Sequence, residues 1–101
     1  MINDCYNKDM GDKEIKELVK DIKKARAWKL YQNNIGDEGA CILADVLQTS
    51  TTLMYMSIWG NQIGDIGAEA LAKALMVNTT LEEIVVFNNK ISKIGYTALA
   101  R

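Results

Sequence analysis

The sequence predicts an α/β solenoid of stacked strand–turn–helix units, with parallel strands on one face and helices on the other. Three observations predict this fold class. Blocks of residues recur at an interval of 28. Within each block, a short stretch alternates apolar and other residues, as a strand does. A longer stretch places apolar residues three and four apart, as one face of a helix does. Stacked units of this kind bury a continuous core that a single unit cannot form.

The repeat is most direct in the segments 33–37, 61–65 and 89–93, which read Asn-Asn-Ile-Gly-Asp, Asn-Gln-Ile-Gly-Asp and Asn-Lys-Ile-Ser-Lys. The same interval links Gly39, Gly67 and Gly95. Subtracting 28 again pairs Gly11 with Gly39, so we expect the period to reach the start of the chain in weaker form. By the same step Ile15 matches Leu43, and Cys5 matches Asn33.

These intervals predict a single domain over residues 1–101. It divides into a degenerate first repeat at 1–24, two repeats at 25–52 and 53–80, and a truncated last repeat at 81–101. Strands are predicted near residues 28–31, 56–59 and 84–87, and helices near 12–24, 39–49 and 67–77. We expect the recurring glycines to precede each helix, where the chain turns sharply.

One unit carries the pattern most fully: Leu53-x-x-Met56-x-Ile58-x-x-Asn61-x-Ile63-Gly64-Asp65-x-Gly67-Ala68-x-x-Leu71-Ala72-x-x-Leu75. This pattern resembles the 28-residue, ribonuclease-inhibitor type of leucine-rich repeat, and the chain is similar to the repeat arrays of ribonuclease inhibitor and NOD-like receptors. The resemblance implies a short horseshoe arc with strands on the concave face and helices on the convex face. It also implies that Asn33, Asn61 and Asn89 turn inward to bond backbone groups.

Composition and motifs indicate a binding protein and not an enzyme. The formal net charge of -1 argues against nucleic acid as a partner, and histidine is absent. No phosphate-binding loop or metal motif occurs, so we expect neither cofactor nor metal. The paired carboxylates Asp37-Glu38 and Glu82-Glu83 are interpreted as solvated charge. The sequon at Asn78 is interpreted as part of the repeat.

The first residues do not form a secretory signal, and no apolar run is long enough to span a membrane. Cys5 and Cys41 are too few for a disulfide framework. We therefore expect a cytoplasmic protein with reduced thiols and no membrane partner.

Strand alternation predicts the binding surface, because residues next to the buried positions must point to the opposite, concave face. At one such position the units carry Tyr31, Trp59 and Phe87, a row of aromatic residues of the kind enriched at binding hot spots. The predicted partner-binding residues are Lys29, Tyr31, Tyr55, Ser57, Trp59, Glu83, Val85 and Phe87.

The ends of the array suggest a second role. Solenoids normally close with polar caps, and this pattern shows none. We expect Leu81, Ile84, Ile91 and Leu99 to lie partly open, which favours self-association through the uncapped ends. The alternative to a binding module is a repeat segment of a larger sensor or regulatory protein, of the NOD-like receptor or GTPase-activating type.

Overall fold

A computed structural model describes residues 2–4 and 9–99, in which strands and helices strictly alternate. The strands are β1 (Ile2–Asp4), β2 (Ala27–Lys29), β3 (Tyr55–Ser57) and β4 (Glu83–Val85). The helices are α1 (Asp12–Ile22), α2 (Asp37–Thr49), α3 (Asp65–Val77) and α4 (Lys93–Leu99). The strands form one parallel sheet in the order β1-β2-β3-β4, and each helix packs beside the next. The predicted solenoid arc is confirmed.

The core is a single layer between sheet and helices. Trp28, Met56 and Ile58 enter it from the strand side, and Leu43 and Leu71 enter it from α2 and α3, all with 0% exposure. Because these positions recur in register, each unit buries its apolar residues against the equivalent residues of its neighbours. Burial of such side chains contributes roughly 1.5–3 kcal/mol each.

The first unit is three residues shorter than the sequence interval predicts. Trp28 pairs with Met56 at an interval of 28, but Ile2 pairs with Ala27 at an interval of 25. Every helix begins ten residues after the first residue of its strand. The loss therefore lies after the start of the helix: α1 has 11 residues where α2 and α3 have 13, and the link to the next strand is one residue shorter.

The expected extension of the 28-residue interval to the start of the chain is therefore wrong. Gly11 is the residue before α1, as Gly36 is the residue before α2, so Gly11 is equivalent to Gly36 and not to Gly39. The assignment of Cys5 to the asparagine position falls outside the described residues.

The element boundaries also differ from the prediction. The three predicted strands begin one residue earlier and end two residues earlier, and α2 and α3 begin two residues earlier. Gly39 and Gly67 consequently lie inside the first helical turn and not before it. Packing explains why a glycine occurs at this position. A Cβ on Gly67 would lie 2.7 Å from Ile63 Cγ2, 2.8 Å from Ala40 Cβ and 2.9 Å from Asp37 Oδ1. A side chain there would overlap the neighbouring unit.

Candidate functional site

The sheet face opposite the helices, here called the concave face, presents an ordered grid of side chains. Cross-strand pairing aligns Ala27, Tyr55 and Glu83 in one row. The next row along the strands contains Lys29, Ser57 and Val85. Of the residues predicted to bind a partner here, Glu83 is exposed, and Lys29, Tyr55 and Val85 are half-buried.

Ser57 is an exception, because it is only 3% exposed. Its short side chain lies on the inner strand β3, between the longer side chains of Lys29 and Val85 on either side. At 3% exposure the side chain offers almost no surface to another molecule. The prediction that Ser57 contributes to a binding surface is therefore wrong.

A third row of the concave face consists of the aromatic residues that follow the strands by two positions. Backbone pairing continues beyond the strands: Leu30 N–H donates to Ser57 O at 2.9 Å, and Gln32 N–H donates to Trp59 O at 2.8 Å. Gly60 N–H likewise donates to Phe87 O at 3.1 Å. The backbones that carry the rings are therefore adjacent, about 4.8 Å apart. We call Tyr31, Trp59 and Phe87 the aromatic row.

Within the aromatic row, the residue of the last unit is the most exposed. Phe87 is 64% exposed, whereas Tyr31 and Trp59 are half-buried. All three lie outside the core that holds Trp28 and Ile58, both at 0%. Large rings held on a rigid sheet lose little conformational entropy when a partner covers them.

Trp59 also borders a polar recess at the carboxyl ends of the strands. The recess is lined by the residues Asp9, Gln32, Asn33, Asn34, Trp59, Gly60 and Gln62. The Asn34 amide donates to the Asp9 carboxylate across it. An aromatic side chain beside a rim of amides combines apolar contact area with hydrogen-bonding groups, which is the usual composition of a protein interface.

Buried asparagines hold the loops that carry the aromatic row. Asn61 is 3% exposed, and its Nδ2 donates to Ile58 O at 2.9 Å and to Leu30 O at 3.1 Å. Its Oδ1 accepts from Ile35 N–H at 3.0 Å. The bonds cross from one unit to the next, so the amide satisfies backbone groups that would otherwise be buried without partners. The same pattern recurs at Asn33 and Asn89.

The residue before each of these asparagines adopts a left-handed backbone conformation. Its φ is 59° at Gln32, 73° at Gly60 and 58° at Asn88. This recurring turn ends the strand and lets the following asparagine point back into the core. Glycine and asparagine, found here at Gly60 and Asn88, tolerate this region of φ better than bulky residues do.

Three aspartates that sequence reasoning interpreted as solvated charge, or left aside, connect the helices. Asp12, the first residue of α1, accepts from Gly36 N–H at 2.6 Å. Asp37 accepts from Gly64 N–H at 2.7 Å and from Gly67 N–H at 2.9 Å. Each carboxylate thus caps the N-terminus of the next helix, where backbone donors lack partners within the helix. In the sequence, the recurring Gly-Asp pair marks these capping aspartates.

The last of these contacts involves a serine in place of the glycine. Asp65 Oδ1 accepts from Ser92 N–H at 2.7 Å, and the Ser92 hydroxyl donates to Asp65 Oδ2. The hydrogen bonds from the Ser92 side chain and backbone hold the pKa of the Asp65 carboxyl below its ordinary value. These hydrogen bonds thus favour the charged form of the carboxyl.

The remaining chemically notable residues have structural roles or resist reaction. Asn78 of the sequon is half-buried and donates from Nδ2 to Leu47 O of α2 at 2.8 Å and to Ser50 O at 3.2 Å, which joins the link after α3 to the end of α2 and the link that follows it. Burial raises the pKa of the Cys41 thiol, and the nearby carboxylates of Asp37, Asp45 and Asp12 raise it further. A raised pKa disfavours the reactive thiolate.

Over residues 2–4 and 9–99 the structure contains no cluster of three or more histidine, cysteine or acidic groups placed to hold a metal ion. Among the described residues, no helix has the length and apolar character needed to cross a membrane.

The site is thus a repeating surface displayed by a solenoid, with polar side chains used to join its units. A family model for leucine-rich repeats matches residues 26–40, 49–72 and 77–100, which together make up more than half of the chain. The chain belongs to the leucine-rich repeat family. Comparison with curated proteins gives no match. Leucine-rich repeats are generally protein-interaction modules, and the family is typically non-enzymatic.

Proposed function

We propose that this protein binds a protein partner through its concave face, with the aromatic row at the centre of the contact. The observation that carries the proposal is the alignment of Tyr31, Trp59 and Phe87 on adjacent backbones outside the core. Aromatic residues are enriched among those that dominate binding energy, because each ring removes a large area from water. The polar recess beside Trp59 supplies donors and acceptors for orientation.

The charges around the aromatic row differ between two strands of the sheet. Lys29 lies on the inner strand β2, and Glu83 lies on β4. A partner with an apolar centre and charges of opposite order would match this surface. Charge complementarity of this kind orients a partner and accelerates encounter more than it raises affinity.

The proposal also covers the type of leucine-rich repeat and the location of the protein in the cell. The 28-residue interval, the inward asparagine and the Gly-Asp pair support the ribonuclease-inhibitor type, with a likeness to the arrays of NOD-like receptors. We propose a cytoplasmic protein, with neither nucleic acid nor membrane as partner. Its formal net charge of -1 supports the exclusion of nucleic acid.

Trp59→Ala tests the function. The ring lies outside the core, while the backbone oxygen of Trp59 keeps its hydrogen bond from Gln32 N–H. We expect the variant to weaken binding by about 2 kcal/mol or more, with only a small loss of stability. Proteins retained by the intact chain and lost by the variant are identified by pull-down. The purified candidate is then titrated against both chains by calorimetry.

Met76→Ala is the matched control, because Met76 is a large apolar residue on α3 that is 80% exposed and lies away from the concave face. It should retain the same partner with unchanged affinity. Equal loss of binding in both variants would contradict the concave face as the site. A large loss of stability in Trp59→Ala with binding intact would show that the ring supports the fold instead.

A second proposal is that the chain acts as a repeat segment of a larger sensor or regulatory protein, of the NOD-like receptor or GTPase-activating type. It is supported by the half-buried Leu81 and Ile84, which a further unit would cover. Full burial of both residues against such a unit, seen in a structure of a longer product of the same gene, would support this proposal over an independent module.

A further inference from the structure

A row of exposed side chains lies just before the strands and is here called the entry row. It consists of Arg26, Met54 and Glu82, each of which precedes its strand by one residue. Met54 N–H donates to Arg26 O at 2.7 Å, and Glu82 N–H donates to Met54 O at 2.8 Å, so the three backbones are adjacent. The entry row therefore presents a cation, an apolar side chain and an anion, in that order, across three units.

The entry row lies in a recess of about 630 Å³. The recess is also lined by a lysine and four threonines: Lys24, Thr51, Thr52, Thr79 and Thr80. The hydroxyls of Thr52 and Thr80 donate to backbone oxygens 27 residues earlier in the sequence, which leaves their oxygens able to accept. Those of Thr51 and Thr79 form no hydrogen bond with another residue that the structure describes, so they remain able to donate.

The charges of the recess are not neutralised by its surroundings. Arg26, Lys24 and Glu82 are all exposed, and within the described part of the chain none of them forms an ion pair. Arg26 and Glu82 are two strand spacings apart, roughly 10 Å between backbones. The recess thus has a cationic end and an anionic end, with Met54 between them.

Exposure in the entry row is a property of its position on the units. Met54 has a neighbour in the row on both sides and is nevertheless 38% exposed. The core positions of the last unit behave differently. Leu81, Ile84 and Leu99 are half-buried there, as expected. Ile91, at 8% exposure, is buried, so the expectation of an open side chain was wrong for this residue.

We propose that the recess binds a proline-rich peptide segment in the polyproline II conformation, with an acidic and a basic residue three positions apart. In this conformation residues i and i+3 lie on the same side of the segment, about 9.3 Å apart. That separation matches the spacing of Arg26 and Glu82 across the strands. In a β-strand the same two residues would point to opposite sides. The acidic residue faces Arg26 and Lys24, and the basic residue faces Glu82.

The other residues of the recess suit the middle of such a segment. Proline at the two intervening positions favours the conformation, and its apolar rings cover Met54. A polyproline II backbone has no internal hydrogen bonds, so its carbonyl groups accept from the hydroxyls of Thr51 and Thr79. Because the conformation exists before binding, little entropy is lost when the segment is captured.

This site is independent of the proposed function. The entry row precedes the strands, whereas the aromatic row follows them. Arg26 and Tyr31 are five residues apart along the same strand direction, which corresponds to roughly 16 Å. The two surfaces can therefore be tested separately.

Fluorescence anisotropy of labelled peptides tests the site. The probe is Pro-Pro-Glu-Pro-Pro-Lys-Pro-Pro. The control peptide, Pro-Pro-Pro-Glu-Lys-Pro-Pro-Pro, has the same composition with the charges adjacent. We expect saturable binding of the probe and at least about tenfold weaker binding of the control peptide, because adjacent residues of a polyproline II helix point in different directions. Arg26→Ala should weaken binding of the probe at least about threefold.

A compensating change tests the assignment of the anionic end. Glu82→Lys should bind the probe at least about tenfold more weakly than the unmodified chain. The same variant should bind Pro-Pro-Glu-Pro-Pro-Glu-Pro-Pro at least about tenfold more tightly than the unmodified chain does. Glu69→Lys is the matched control, since this exposed carboxylate lies on α3 and does not line the recess. It should leave both affinities unchanged, and circular dichroism checks the folding of each variant.

Trp59→Ala separates this proposal from the proposed function, because it alters the aromatic row and should bind the probe as the unmodified chain does. Loss of probe binding in that variant would place the peptide on the aromatic row and overturn the proposal. Absence of saturable binding, equal affinity for the probe and the control peptide, or unchanged affinities in Glu82→Lys would also overturn it.

Discussion

At the residue scale, the geometry that recurs from unit to unit depends on polar side chains. These side chains form hydrogen bonds with backbone N–H and C=O groups at the points where strands and helices end. An asparagine amide carries two donors and one acceptor oxygen on a short arm. At Asn61 these groups reach Leu30 O, Ile58 O and Ile35 N–H, which belong to two successive units. An apolar side chain of similar size cannot substitute for this asparagine, because the backbone groups would remain buried without hydrogen-bond partners.

Asn61→Leu should therefore lower the free energy of unfolding by roughly 1–3 kcal/mol, the cost of leaving buried polar groups unpaired. Chemical denaturation followed by circular dichroism measures the change. The control is Gln62→Leu, at an exposed neighbouring position, which should change stability by less than about 0.5 kcal/mol. Similar losses in the two variants would refute the role assigned to the buried amide.

At the element scale, each helix after the first is capped by the unit before it. Gly36 and Gly64 precede α2 and α3 and provide no side-chain cap of their own. The preceding aspartate supplies the acceptor and crowds the third residue of the helix, which is therefore glycine. In α1 this third residue is Glu14, whose carboxylate accepts from Gly11 N–H at 2.8 Å. The first helix thus carries its own cap.

Asp37→Ala should destabilise the protein by about 0.5–2 kcal/mol, because it removes the acceptor for Gly64 N–H and Gly67 N–H at the start of α3. Urea denaturation measures the change. The adjacent Glu38 is a suitable control, since it makes only an exposed ion pair with Lys16 at 3.5 Å. Glu38→Ala should cost well under about 1 kcal/mol. Equal effects of the two substitutions would show that the cap contributes little.

At the scale of the whole molecule, the main contacts between helices of the described residues join successive units: α1 with α2, α2 with α3, and α3 with α4. Stability in such an array is close to a sum of unit and interface contributions. Among the described residues, α2 and α3 each pack against a helix on both sides, whereas α4 packs against α3. The ends should therefore open more readily than the centre.

Amide hydrogen exchange tests this gradient. The Ile58 N–H, bonded to Val85 O between β3 and β4, should exchange at least about tenfold more slowly than the Tyr96 N–H of α4, after correction for intrinsic rates. The measurement is made by NMR. Uniform protection along the chain would indicate one cooperative unit and contradict the gradient.

The repeat interval, together with the apolar patterns inside each unit, predicted the strand–helix alternation, the parallel sheet and most of the core, because one-dimensional stacking converts sequence period directly into spatial register. Strand alternation also located the aromatic row. The same reasoning failed at the first unit, where the loss of three residues from the helix and its link hid the true equivalence of Gly11 with Gly36. The Gly-Asp pair was a better marker than the apolar positions.

What the sequence by itself determined was the unit, its period and the side of the sheet on which each residue lies, since all three follow from local backbone geometry. Only the tertiary structure decided which of those residues a partner can reach. Ser57 and Glu83 share the concave face, yet Ser57, on the inner strand β3, is only 3% exposed, whereas Glu83, on β4, is exposed. The role of Asp37 as a helix cap likewise depends on tertiary contacts, because the backbone N–H groups that it accepts from lie 27 and 30 residues away in the sequence. Exposure and capping depend on what lies across the interface between units, and that information is absent from any single unit of the sequence.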